Sequence, residues 1–339
     1  AEQILAVATN EEQRFLLRSA FLPKPTVVMA AALTGDALAG TRLESLHRRQ
    51  MFTHRQNSKE PSYIYHALFR DFLLARAEAS MLPEEYAELW ARSGTILELS
   101  AQLEDAVEAY ARGEKWDALR ALIEREASDL MSQGRALTLK TWIRRMPREW
   151  VVQSPWIEYW LATALVPEDA MAAVQEFDRA QVLFAKTGDS VGRVLALCGT
   201  MEAIFFATSN HALMDAWTPL LKDAVSHMQA FPTKAVELRA YAAMLIAMIF
   251  RKPDANDLER TAQRVVQLLD SDAPANQRLM AATFLIIYCT FTGKFDLAAV
   301  VVLKGNVIAS LEGVTPHNRG LWSVWRCYLY QIVFEFDKG

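Results

Sequence analysis

The sequence of 339 residues has little of what marks secreted, metal-binding or membrane proteins. It contains only three cysteines, Cys198, Cys289 and Cys327, with no Cys-x-x-Cys or Cys/His ligand spacing. Isolated cysteines inside apolar helical patterns predict buried thiols in a reducing compartment. The longest apolar stretches, 240–250 and 281–291, are too short to cross a bilayer, and no signal-peptide pattern is visible at the N-terminus. We therefore expect a cytoplasmic protein without membrane contact.

Catalytic motifs are also missing. The segment 35–42 has the two glycines of a phosphate loop, but it lacks the lysine after the second glycine, and no buried parallel strand precedes it. Neither Gly-x-Ser-x-Gly, His-Glu-x-x-His nor an EF-hand spacing occurs, and the histidines never pair at metal-ligand intervals on one helix face. We expect no catalytic residue, no metal and no cofactor in this chain.

The charge balance excludes a strongly basic protein. Lysine and arginine number 36 and aspartate and glutamate 40, which gives a net charge of −4. No global positive field therefore favours nucleic acid or an anionic membrane. Hydrophobic residues make up 52% of the sequence and charged residues 22%, which is typical of an ordered globular protein.

Residues 1–80 predict three helices and a β-hairpin, the arrangement of a winged-helix domain. Pro23 stops the first helix, and Thr26 caps a second helix that ends at Gly35. Two short β-type runs then flank a polar loop, which is typical of a hairpin. The predicted helices cover 11–22, 26–35 and 37–50, and the predicted strands cover 52–54 and 63–65.

The second strand runs directly into an amphipathic helix. The segment 65–73, Tyr-His-Ala-Leu-Phe-Arg-Asp-Phe-Leu, resembles the end of the winged-helix domain in STAND signal-transduction ATPases, particularly the MalT-like regulators. Similar sequence segments at 12–22 and 43–52 extend the resemblance over the whole domain. In related ATPases a histidine at this turn contacts the phosphates of bound ADP, so the resemblance implies a nucleotide-sensing role for His66. Ala67 stands where those proteins have an aspartate.

Beyond residue 80 the sequence predicts helical hairpins. The apolar markers Leu195, Leu238, Leu279 and Leu321 recur at intervals of 43, 41 and 42 residues. One hairpin per roughly 40 residues is typical of an α-solenoid, in which each unit buries its apolar face on its neighbours. A Ser154-Pro155 pair is typical of a helix start with a serine cap.

We predict a mainly α fold with three parts: a winged-helix domain over 1–80, linking helical hairpins over 81–150, and a tetratricopeptide-like superhelix over 151–339. The resemblance implies that an upstream nucleotide-binding domain binds ATP or ADP. It also implies that the winged helix stabilises the closed, ADP-bound state and that the superhelix senses an inducer. It implies DNA contact only through an output domain missing from this sequence. We interpret the chain as the signal-sensing and regulatory fragment of a cytoplasmic transcriptional regulator.

The first helices of stacked hairpins usually face the concave groove of a solenoid. This nominates Glu202, Phe206, Arg239 and Met244 as contacts for an inducer, either a small molecule or a protein or peptide. Glu202 and Arg239 stand out inside apolar helices, because burying either one unpaired is unfavourable. The alternative is a buried ion pair that only supports packing.

Arg48, Arg49 and Arg55 form a short basic strip in the winged-helix region and are candidate phosphate contacts, to DNA or to a nucleotide in a neighbouring domain. The alternative is a solvated helix end where cations suit the helix dipole. Two other functions stay open, a stand-alone helical-repeat scaffold for partner proteins and direct DNA binding through the winged helix. Self-association stays open as well.

Overall fold

The computed structural model describes residues 8–49, 53–56, 61–207, 210–251 and 255–336, with side chains up to residue 333. The chain divides into two compact units, 1–122 and 123–339. Phe52, at the start of the first predicted strand, lies outside the described residues.

The first unit opens with the predicted winged-helix arrangement. Thr9 and Glu12 form a capping box at the start of the first helix, and the Thr26 side chain accepts a hydrogen bond from the Met29 amide (3.3 Å) at the start of the second. The second helix ends at Gly35, whose φ of 72° is the left-handed conformation that glycine adopts without strain. The elements are α1 (Asn10–Ser19), α2 (Val27–Thr34), α3 (Ala39–Arg48), β1 (Thr53–Gln56), β2 (Ser62–Tyr65) and α4 (Ala67–Ser80).

The hairpin is held to α1 through Tyr65. β1 and β2 are antiparallel and pair Thr53 with Tyr65. The Tyr65 ring is buried, its hydroxyl lies 2.7 Å from the Ser19 hydroxyl, and burial raises the pKa of Tyr65 to about 12. β2 leads into α4 with only His66 between them. The unit continues with α5 (Pro83–Leu99), α6 (Leu103–Arg112) and the start of α7 (Trp116–Ser132).

The second unit is a series of helical hairpins, as the 40-residue period predicts. The further elements of the unit are α8 (Ala136–Ile143), α9 (Arg148–Gln153), α10 (Pro155–Leu165), α11 (Ala170–Thr187), α12 (Ser190–Ala207), a 3₁₀-helix (His211–Ala216), α13 (Thr218–Ser226), α14 (Lys234–Phe250), α15 (Ala255–Leu268), α16 (Ala275–Thr292), α17 (Phe295–Ala309) and α18 (Pro316–Phe336). Helices α10, α12, α14, α16 and α18 are the first helices of successive hairpins, and α11, α13, α15 and α17 are the second helices between them.

Close approach of paired helices rests on glycines that face aromatic rings. Gly192 and Gly199 of α12 lie against the rings of Phe184 and Phe177 of α11, where a Cβ atom would clash with the ring. Both phenylalanines are buried in a cluster that continues through Met201. The helix Ser190–Ala207 is long and apolar enough to cross a membrane by length and composition, but 56% of it is buried inside this core. It packs as a core helix.

The start of α10 differs from the expected serine cap. Pro155 is at the first position of the helix, as predicted, but the Ser154 side chain makes no capping bond there. Its hydroxyl instead donates to the Trp150 carbonyl oxygen of the preceding α9 (2.9 Å). The short α9 presents this carbonyl four residues before Ser154, and the bond back to it replaces the cap.

A buried carboxyl group lies where α9, α10 and α11 meet. Glu158 of α10 is fully buried, and its nearest cations, Arg148 and Arg179, approach only to 3.5 and 3.7 Å. As a carboxylate, Glu158 has no hydrogen-bond donor within reach among the described residues. Burial first, and then the hydrogen bond and negative charge of Glu176, raise the pKa of Glu158 to about 8. The protonated form is therefore favoured in the folded state.

This raised pKa predicts a loss of stability at alkaline pH. Because the folded-state pKa lies above the unfolded value, the stabilising contribution is complete below the unfolded pKa and disappears as the pH rises through about 8. Between pH 5 and pH 9 the free energy of unfolding of the wild type should fall by roughly 2–4 kcal/mol more than that of Glu158→Gln. Urea unfolding at the two pH values measures this difference. Glu149→Gln, at an exposed position on α9, is the matched control, and equal pH dependence of wild type and Glu158→Gln would contradict the assignment.

Candidate functional site

A cavity of about 1170 Å³ lies in the second unit, between the first helices of successive hairpins. Pockets of about 300–1,000 Å³ accommodate drug-sized ligands, so this cavity is large enough for a small organic molecule. Its walls come from α7, α10, α12, α14 and α16, from the segment 166–169, and from the starts of α8, α11 and α18. Its apolar lining includes Met131, Trp160, Phe206, Met280 and Phe284.

Arg239 joins three first helices at this cavity. Its Nε donates to Oε1 of Glu202 (2.9 Å) and its Nη2 donates to Oε2 (2.7 Å), so the pair is bidentate. Its Nη1 donates to the hydroxyl of Tyr159, and the guanidinium also lies over the Tyr159 ring, 5.9 Å from its centroid. Tyr159, Glu202 and Arg239 belong to α10, α12 and α14, and all three line the cavity.

The environment of this group is largely desolvated. The side chains of Arg239 and Glu202 are 15% and 22% exposed. Desolvation by itself lowers the pKa of Arg239, but the charge of Glu202, followed by Tyr159, outweighs it and leaves the pKa raised well above its ordinary value. The guanidinium therefore stays charged, and all three of its nitrogens have a partner.

The structure brings three of the four nominated groove residues to the cavity. Glu202, Phe206 and Arg239 line it, and the ring of Phe206 makes an edge contact with His317 at 5.6 Å between centroids. Met244 does not line it. It is 8% exposed and lies in the core cluster.

The difference follows from helical spacing. Phe206 is four residues after Glu202 and lies on the same face of α12, whereas Met244 is five residues after Arg239, about 140° around α14. Ala242, three residues after Arg239, lines the cavity instead.

Other lining residues were not nominated from the sequence. Tyr159 lies 43 residues before Glu202, which is one repeat earlier on the preceding first helix, α10. Trp160 follows Tyr159, and Phe284 lies 82 residues, about two repeats, after Glu202. Extending the repeat period backward from Glu202 could have found Tyr159. His317 gave no such signal, because it lies at the start of α18 rather than at the equivalent mid-helix position.

Carboxylates outnumber cations around the cavity. Asp129, Glu168, Asp169 and Glu202 line it, and Arg239 is the one lysine or arginine among the lining residues that the structure describes. Glu168 is in contact with the Lys140 ammonium, which holds the pKa of Glu168 below its ordinary value. Asp169 accepts a hydrogen bond from the Ala172 amide (2.9 Å) as the cap of α11.

In the first unit, His66 lies between β2 and α4. The residue is exposed and its carbonyl oxygen accepts hydrogen bonds from the amides of Phe69 and Arg70, both at 2.9 Å. Ala67 and Leu68, the first residues of α4, are exposed too. The first residues of α4 and the residue before them are therefore exposed to solvent.

The three arginines of the basic strip are paired with carboxylates. Arg48 and Arg55 both contact Glu44, at 3.1 and 3.4 Å, and Arg49 contacts Glu12 at 3.2 Å. The pKa of Glu44 is lowered, first by the hydrogen bond from the Tyr63 hydroxyl and then by Arg48 and Arg55. These ion pairs compensate the positive charge of the strip locally.

The two glycines of the segment 35–42 lie in different structural contexts. Gly35 ends α2, and Gly40 lies inside α3, where a Cβ would contact Val27. Among the residues described by the structure, no group of three or more histidine, cysteine, aspartate or glutamate side chains has an arrangement that holds a metal ion.

Comparison with known proteins identifies a domain within the first unit. Residues 1–86 match the sequence profile of the MalT winged helix domain. This segment contains His66 and the basic strip. The chain thus carries a MalT-type winged helix domain at its amino-terminal end, and the resemblance seen in the sequence is confirmed.

Relatives extend the similarity over about half of the chain. The HTH-type transcriptional regulator MalT of Yersinia enterocolitica is 28% identical over 170 residues, which is 48% of this chain and 18% of that protein. MalT of Cronobacter sakazakii is 26% identical over 160 residues, 45% of this chain and 17% of that protein. The serine/threonine-protein kinase PknK of Mycobacterium tuberculosis is 26% identical over 185 residues, 53% and 16% of the two chains. The chain therefore spans less than a fifth of the curated relatives it matches, and it is similar to a portion of MalT-like regulators. No solved structure matches it significantly.

The Glu202–Arg239 pair predicts a specific pattern of stability changes. Glu202→Leu or Arg239→Met leaves a largely buried charge unpaired, so each variant should lower the free energy of unfolding by about 2–3 kcal/mol, and the double variant should lose less than the sum. Chemical unfolding of all four proteins measures this coupling.

The Asp215–Arg251 pair provides a matched control. It is also bidentate, but its side chains are 55% and 40% exposed. Breaking it should change the free energy of unfolding far less than breaking the Glu202–Arg239 pair, because solvent screens the exposed charges. Equal effects for the two pairs would show that burial at the cavity does not strengthen the Glu202–Arg239 contact.

Proposed function

We propose that this chain is the winged-helix and sensor portion of a larger cytoplasmic transcriptional regulator of the STAND type. In this role the helical unit binds an inducer, and a nucleotide-binding domain outside the chain holds ATP or ADP. A separate output domain contacts DNA. The MalT-type winged helix and the similarity to two MalT proteins support this function.

The cavity around Arg239 is the observation that carries the sensor role. A molecule in it contacts several successive first helices at once, so its binding free energy depends on how those helices pack. A ligand that prefers one packing shifts the population toward it. The aromatic walls and a few fixed polar groups are typical of a site for a small organic molecule rather than for a folded partner.

Direct experimental support requires a ligand whose binding depends on the residues that line the cavity. We expect a compound library to contain molecules that raise the melting temperature of this chain by mass action. Phe206→Ala, which shortens a lining side chain, should reduce that shift, whereas Phe291→Ala, at a 58% exposed position outside the lining, should not. Ligands that stabilise all three proteins equally would argue against a sensor cavity.

His66 is proposed to couple the winged helix to the nucleotide. His66 is an exposed residue at the amino-terminal end of α4, where the helix dipole favours an anion such as a phosphate presented by another domain. If it contacts ADP in the closed state, then its loss removes an interaction that favours that state. The ion pairs of Arg48, Arg49 and Arg55 make these residues weaker candidates for the same phosphates, since any anion must first displace a glutamate.

A His66→Ala substitution in the complete regulator should raise output in the absence of inducer, because the closed state loses a differential contact. A reporter assay with and without inducer measures this, and Leu68→Ala, at a neighbouring exposed position, is the matched control. If a folded His66→Ala protein has the same basal output as the wild type, the histidine has only a structural role at the strand–helix junction.

We also propose that this chain does not hydrolyse ATP by itself. A nucleotide triphosphatase needs a phosphate-cradling loop and a lysine or arginine positioned on the β- and γ-phosphates, together with Mg²⁺ ligands. Phosphate release by the purified chain should therefore equal that of a buffer control. Turnover that co-purifies with the protein through successive columns would contradict this proposal.

A further inference from the structure

We propose that the cavity binds an organic cation of the aliphatic diamine or polyamine class. This inference rests on the proposed sensor function and adds the chemical class of the ligand. It follows from which polar groups of the lining are already engaged and which are still available.

The single guanidinium at the cavity is not available to an anion. Both Oε atoms of Glu202 and the Tyr159 hydroxyl already accept hydrogen bonds from Arg239. An anionic ligand would have to displace the Glu202 carboxylate and leave it largely buried without its partner, which is strongly unfavourable. Arg239 thus links the helices that form the cavity wall, and its charge is compensated within the protein.

Two carboxylates at the cavity can still accept hydrogen bonds from a ligand. Asp129 and Asp169 are both exposed, and neither forms an ion pair with a described residue. Asp129 makes no side-chain hydrogen bond within the described part of the chain, and Asp169 uses one oxygen for the Ala172 amide. Glu168 is already neutralised by Lys140. The charged groups of the described lining that can still bind a ligand are therefore two negatively charged hydrogen-bond acceptors, which suit ammonium donors.

The apolar lining favours a cation of extended shape. Trp160, Phe206 and Phe284 offer aromatic surface to methylene groups and to ammonium ions, and Tyr159 already lies beneath the Arg239 guanidinium. A flexible aliphatic amine combines both requirements, because its chain packs on the aromatic rings while its ends reach carboxylates. A compact inorganic cation would leave the rings uncovered.

Three probes of equal chain length separate charge from shape: 1,5-diaminopentane, 1,5-pentanediol and glutarate. We expect only the diamine to bind, by calorimetry at physiological ionic strength, and to raise the melting temperature. The neutral diol lacks the charge interaction, and glutarate is repelled by the lining carboxylates.

The variant Asp129→Asn/Asp169→Asn tests the site. Asparagine is as good a helix cap as aspartate, so α11 keeps its cap while both charges are lost. The affinity for the diamine should fall about tenfold or more, which corresponds to about 1.4 kcal/mol. Glu312→Gln, which removes an exposed carboxylate outside the cavity, should leave it unchanged.

Each outcome decides for or against the cation. Absence of diamine binding would overturn the proposal. An equal loss of affinity in Asp129→Asn/Asp169→Asn and in Glu312→Gln would also overturn it, because it would show non-specific adsorption to an acidic protein. Binding of glutarate that is sensitive to Phe206→Ala would also overturn it. That last result would leave the proposed sensor function intact, since it would still place a ligand in the cavity.

Discussion

The Arg239 guanidinium connects three consecutive first helices of the helical unit, and the cavity depends on this connection. Helical hairpins in a solenoid contact only their neighbours, so side chains that cross two interfaces are uncommon links between repeats. Arg239 of α14 binds Glu202 of α12 and also reaches Tyr159 of α10. A change in the position of any one of these helices must therefore alter a largely buried charge network. This coupling is what a sensor needs, because a ligand in the cavity then acts on several hairpins together.

The same network determines the electrostatics of the cavity. Because Glu202 neutralises Arg239, the lining retains the negative charge of Asp129 and Asp169. The basic strip of the winged helix behaves similarly, since each arginine is compensated by a nearby glutamate. In both units the informative quantity is which charges are already paired, and a count of charged residues in the sequence does not provide it.

Much of the fold could be predicted from local rules. The Thr26 cap and the left-handed Gly35 are set by neighbouring residues, and the hairpin period follows from a repeated apolar pattern. The site was harder, because its residues meet only after packing. Met244 lies in the core because it is five residues after Arg239 and so on another face of α14, and Tyr159 was not chosen, since its partner Arg239 is 80 residues away. The Ser154 bond to α9 likewise depends on the preceding helix.

Hydrogen–deuterium exchange of Arg239→Met, compared with the wild type, tests most directly whether Arg239 unites the three helices. If it does, the backbone amides of α10, α12 and α14 should all exchange faster in the variant, while those of α17, which does not line the cavity, should be unchanged. Faster exchange confined to α14 would contradict the account, because it would show that Arg239 supports only its own helix.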